Sequence, residues 1–152
     1  SMQNVFDAKD AQEYINRINN LTPETQRKWG KMSVDQVLAH LNVAYDLTFT
    51  PEKFPKPNFI AKFLLSKFVK PKITNEIPYK QSLPTSPVFI IADERNFEEE
   101  KAKLIGNIQR VQQLGREAFE GKENINLGKM TAQCWNNMFA KHLNHHLDQF
   151  GV

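Results

Sequence analysis

Seven of the eight prolines in this chain fall between Pro51 and Pro87. Proline removes a backbone donor, fixes its own φ and pushes the preceding residue out of the helical region. Long regular helices are therefore confined to the stretches before and after that block. Both stretches carry apolar residues at helical spacing. Ala11, Tyr14, Ile15 and Ile18 predict a first helix over about residues 8–20, with Asp7 as its N-cap. Thr22-Pro23-Glu24 is a helix-start pattern and predicts a short helical piece to Trp29. Ser33 followed by Gln36 has the capping-box form. From there Val34, Val37, Leu38, Leu41, Ala44, Tyr45 and Thr48 predict a helix over about 34–49.

Beyond the prolines, Asn96 caps a predicted long helix running to about Phe119, with Glu98, Glu99 and Glu100 suiting the dipole of its first turn. Residues 121–128 read as a polar loop. Thr131 caps a last helix that ends at Gly151. Within residues 51–95, Phe59 to Val69 predicts one short helix, and Val88–Ile91 is a possible short strand without an evident partner. The expected architecture is all-α: one domain over residues 1–152, a four-helix bundle with a long crossover that contains a short helix.

The last helix carries Lys141-His142-Leu143-Asn144-His145-His146-Leu147, with three of the four histidines. His142 and His146, spaced i and i+4, share a face with Trp135, Met138, Phe139 and Phe150. His40 flanks the apolar face of the second helix. Neutral imidazole is the commonest ligand for divalent transition metals. Three imidazoles converging from two helices would make a site with an open coordination position. Buried imidazoles otherwise need hydrogen-bond partners, and a satisfied core histidine is the competing reading. His145, Gln149, Asn144 and Asp148 lie within a turn and are the candidates to orient the ligands. Imidazoles accept Zn, Ni, Fe, Mn or Co, so the donor set does not choose the metal.

These residues also carry a resemblance. KHLNHHLDQFGV resembles the H-x-x-H-H-x-x-Q signature of the DinB/YfiT-like superfamily of metalloenzymes, and MSVDQVLAHL looks like its earlier ligand helix. The branch it most resembles is a group of unknown function ending in HHLxQFG. The resemblance implies a four-helix bundle with a divalent metal on His40, His142 and His146, His145 being no ligand. It also implies a small-molecule substrate. Some relatives transfer sulfur with low-molecular-weight thiols, and others are suggested hydrolases.

Other candidates read as structural. Tyr45 and Asp46, beyond His40, are better explained as packing and as a solvated charge than as acid–base groups. Cys134 reads as a small core hydrophobe, and as the only cysteine it fits a reducing compartment such as the cytoplasm. Segment 54–72 interleaves phenylalanine and lysine as a membrane-surface helix would. Seven lysines lie from Lys53 to Lys80 against one acid, Glu76. The preferred reading is that its apolar side covers the bundle and membrane binding is not its role. A net charge of +3 without helix-turn-helix, zinc-finger or RNA-binding motifs gives no case for nucleic acid. A homodimer is open, since no helix face is singled out, and a helical protein with a vestigial metal site is the non-enzymatic alternative.

Overall fold

Each principal helix starts where a short polar side chain replaces a missing backbone acceptor. Asp7, Asn96 and Thr131 accept the backbone N–H three residues on, from Asp10, Glu99 and Cys134 at 3.1, 3.0 and 3.1 Å. At Ser33 the backbone N–H donates to Gln36 Oε1 at 3.0 Å. The computed structural model describes residues 2–152. Its elements are α1 (Ala8–Asn19), α2 (Val34–Phe49), α3 (Phe59–Leu64), α4 (Lys70–Thr74), α5 (Phe97–Leu114), α6 (Arg116–Phe119), β1 (Lys122–Asn124), β2 (Gly128–Met130) and α7 (Ala132–Gln149).

Helices α1, α2, α5 and α7 form the expected all-α bundle. Each of α5 and α7 packs against both α1 and α2. Ile18, Leu38, Leu41, Leu104, Trp135, Phe139 and Leu143 are buried between them. Removing this much apolar surface from water is the main stabilising contribution. Polar side chains fix the register. Asn42 donates to the Glu100 carbonyl and accepts from Asn107, tying α2 to α5. Arg17 donates to Asn144 and Asp148, tying α1 to α7.

Several local expectations are corrected. Residues 22–29 form turns rather than a helical piece. The Thr22 N–H is taken locally by Thr25 Oγ1 and the Lys28 N–H by the distant Gln149 carbonyl, so a local turn and one tertiary bond stand where helical bonds were expected. The long helix stops at Leu114, not Phe119, because Gly115 adopts φ +80° and turns the chain before α6. The polar loop holds a hairpin, with Lys122 opposite Met130 and Asn124 opposite Gly128. The Asn124 side chain accepts from the Asn126 and Leu127 N–H groups and shapes its turn. Val88 lies in a 3-10 turn, Pro87–Phe89, rather than a strand.

The crossover helix is longer than the spacing suggested. α3 continues through a π turn, Leu65–Val69, into α4. Pro71 explains the π turn: it has no N–H for the Lys67 carbonyl and its ring presses on that turn. α4 is anchored at its C-terminal end. Asn137 donates to the Thr74 carbonyl at 2.9 Å, and the Lys141 ammonium to the Lys72 carbonyl at 2.5 Å. The hairpin holds the other flank, where Lys62 pairs with Glu123 and Ser66 donates to the Leu127 carbonyl.

This anchoring decides which side of the crossover faces inward. Leu65 and Ile73 pack against the core. Phe59, Ile60, Phe63 and Phe68 do not cover the bundle as expected; they are exposed, Phe59 to 83%. No helix among the described residues is long and apolar enough to cross a membrane.

Candidate metal centre

His40 comes from the middle of α2, and His142 and His146 from the last two turns of α7. Because α2 and α7 are neighbours in the bundle, the three rings meet. Their centroids lie 4.5 to 5.0 Å apart. One ligand nitrogen from each falls within 4.8 Å of the others. The Nε2 atoms of His40 and His142 are 2.9 Å apart. Two imidazoles sharing one ion at ligand distances of about 2.0–2.1 Å bring their nitrogens to roughly 3.0–3.4 Å, so the His40–His142 pair is already near that spacing.

Two hydrogen bonds set the ring tautomers. The His40 Nδ1 lies 2.8 Å from the Phe89 carbonyl, which can only accept, so Nδ1 carries the proton. His146 Nδ1 lies 2.7 Å from Gln149 Oε1. The other end of that amide, Nε2, donates to the Trp29 carbonyl at 2.9 Å, which fixes the amide orientation. Gln149 therefore presents its oxygen to His146, and Nδ1 of His146 is the donor. In both neutral rings the Nε2 lone pair is then turned toward the cluster. At most one proton, on His142 Nε2, can sit between these lone pairs. The donor set fits a soft-to-borderline divalent cation, with outer partners of the kind that orient metal-binding imidazoles.

The surroundings keep the rings neutral. Burial pulls the His40 pKa below its ordinary value despite the Phe89 carbonyl, which favours the proton. Burial, then the neighbouring His40, brings His146 down to about 3. His142 is pulled well below its usual range, by burial first and then by the other three histidines. Neutral imidazole is the form that binds a metal.

Of the expected orienting residues, only Gln149 contacts a ring of the cluster by a hydrogen bond. His145 brings no nitrogen to the convergence; its ring lies 4.9 Å from that of His146, 4.7 Å from Trp29 and 5.5 Å from Tyr79. Asn144 is held by Tyr14 and Arg17, and Asp148 pairs with Arg17. Tyr45 is buried and stacked on Phe139 at 4.8 Å, and its phenol is pushed far up by burial. Asp46 pairs with Lys103 at 3.0 Å. Cys134 is a partly buried free thiol packed against the core. Sequence spacing did not reveal two carbonyls, those of Phe89 and Trp29. The segment Val88–Ile91 reads as a strand, and nothing local aims the Phe89 carbonyl at residue 40. Gly30 adds a close approach: it has φ +86°, and a Cβ there would collide with the Gln149 amide.

A cavity of about 1110 Å³ opens beside the imidazoles, between the bundle and the crossover.

Fold and site together define a helical bundle with a three-histidine centre. The chain belongs to the family described as protein of unknown function (DUF1569), whose model matches residues 2–151. No curated protein and no solved structure matches it.

The depressed histidine pKa values make stability depend on pH. Below about pH 6.5 the unfolded chain binds protons that the folded imidazoles refuse. Stability present at pH 7 is therefore lost as pH falls from about 6.5 toward 3, where His146 protonates in the fold. The expected loss in metal-free protein between pH 7 and 5 is about 2 kcal/mol for each histidine held neutral. Urea midpoints at the two pH values measure it; equal midpoints would contradict the neutral cluster.

Proposed function

We propose that this protein is a metal-dependent enzyme of the DinB/YfiT-like superfamily, with a divalent transition ion held by His40, His142 and His146 and a small-molecule substrate in the adjoining cavity. The observation that carries this reading is the convergence of three imidazole nitrogens within 4.8 Å, with two lone pairs aimed inward by fixed tautomers. Zn, Ni, Fe, Mn and Co all suit such a donor set. A bound ion would supply Lewis acidity and would lower the pKa of a thiol or water reaching its open position.

Thiol-dependent sulfur transfer is the reaction we favour, ahead of hydrolysis. Among the described residues that line the cavity there is no aspartate or glutamate. Tyr45 is sealed in the core and Asp46 is paired elsewhere, so neither serves as a base, and the one non-ligand imidazole in the lining, His145, is a weak base whose pKa burial lowers further. A thiol, with a pKa near 8.5, gives up its proton without a strong base far more readily than water does. The role left to this chain is to hold the donors neutral, to orient His40 through Phe89 and His146 through Gln149, and to exclude water with the crossover.

Metal analysis of protein purified without tag or chelator tests the ligand set. About one equivalent is expected in the native chain and a small fraction of that in His142→Ala. Equal content in the two proteins would rule the assignment out.

A second reading rests on the crossover alone. Phe59, Ile60, Phe63 and Phe68 are exposed beside Lys67, whose ammonium lies 5.8 and 5.7 Å from the Phe63 and Phe68 ring centres. This is the composition of a helix that lies on an anionic lipid surface, with apolar rings inserted and lysines at the headgroups. It predicts salt-sensitive sedimentation with phosphatidylglycerol vesicles, weakened at least tenfold in Phe59→Ser/Phe63→Ser. No sedimentation at low salt would discard it.

A further inference from the structure

The cavity beside the histidines is selective in a way that metal binding does not require. Its walls include Leu65, Val69 and Ile73 from the crossover, Phe89 and Ile91 from the segment that follows, and Met138 from α7. Lys31 is the only charged group among the described lining residues, the histidines being neutral, and it is exposed. The remaining polar side chains are the Trp29 indole, four hydroxyls and three amides, and the Gln149 amide is already bonded at both ends. A sugar or nucleotide body would lose its water here without enough partners to replace it. A cationic head would meet four imidazoles, Lys31 and no carboxylate. An apolar body gains free energy from every methylene it buries.

We infer that the ligand of this site is an amphiphile: an apolar acyl- or aryl-type body lying in the cavity, with a single anionic donor head at the His40–His142–His146 cluster. The head assignment rests on the metal reading; the body assignment rests only on the cavity walls. At about 1110 Å³ the space exceeds what a short thiol or a water molecule needs. In sulfur transfer, the apolar partner occupies this volume. The inner face of the crossover sets the accepted shape.

The experiment titrates n-alkyl hydroxamates, from ethyl to decyl, into zinc-loaded protein by calorimetry. Affinity should rise about fourfold per added methylene until the walls are filled. Val69→Glu puts a carboxylate in the wall at a position already 36% exposed, where folding tolerates it. It should weaken the decyl compound at least tenfold and leave the ethyl compound unchanged. A series that binds with no dependence on chain length overturns the inference and leaves the metal reading standing. If the protein holds no zinc, the metal reading fails, and the body is tested separately with metal-free chain and a fluorescent apolar dye. Displacement of the dye by decanoate but not by acetate, lost in Val69→Glu, supports the apolar site; no displacement overturns it.

Discussion

Two hydrogen bonds at ring Nδ1 positions govern what the centre can do. Phe89 holds the proton of His40, and Gln149 holds the proton of His146. Each leaves Nε2 as a bare lone pair where burial disfavours a protonated ring. Without those acceptors the rings could rotate or exchange tautomers, and the same three histidines would be ordinary buried polar groups satisfied by one another. Burial and tautomer act in the same direction: one keeps the rings uncharged, and the other aims their donor atoms.

The rest of the fold serves this arrangement. Neighbouring positions in the bundle bring α2 and α7 together, so residues a hundred apart in sequence share one site. The acceptors come from outside the bundle helices. Phe89 belongs to the chain that returns from the crossover, and Trp29, which fixes the Gln149 amide, belongs to the turns before α2. Lys141 and Asn137, one turn or so from the histidines, clamp the end of α4. Helix α7 thus carries the ligands on one side and, on another, the anchors of the segment that roofs the cavity. A change in the crossover is therefore felt at the site.

The helices and the His142/His146 pair were legible because their signals are local, whereas His40 joined them as an assigned ligand only through the family resemblance. Apolar spacing, capping side chains and the His142/His146 interval are each contained in a few turns. The losses have a common cause. Residues 22–29 carry a helix-start pattern, but their donors are taken by Thr25 and by the far end of α7. The hairpin strands are three residues long, too short to show alternation. The outward turn of Phe59 and Phe63 follows from anchoring by α7 and the hairpin, and a helix with apolar residues on more than one side does not reveal which side is covered. His145 and Gln149 looked alike as orienting candidates; only Gln149 bonds a ring of the cluster, with its amide fixed by the distant Trp29 carbonyl. Where a residue's role depends on a backbone atom distant in sequence, the pattern of side chains has nothing to report.

Anomalous diffraction from a zinc-soaked crystal tests the central claim most directly. The account predicts one strong peak about 2.0–2.1 Å from Nε2 of His40, His142 and His146 together, with the Nδ1 contacts to Phe89 and Gln149 kept. A peak bound through Nδ1, a peak on a single imidazole, or no peak between the rings would contradict it.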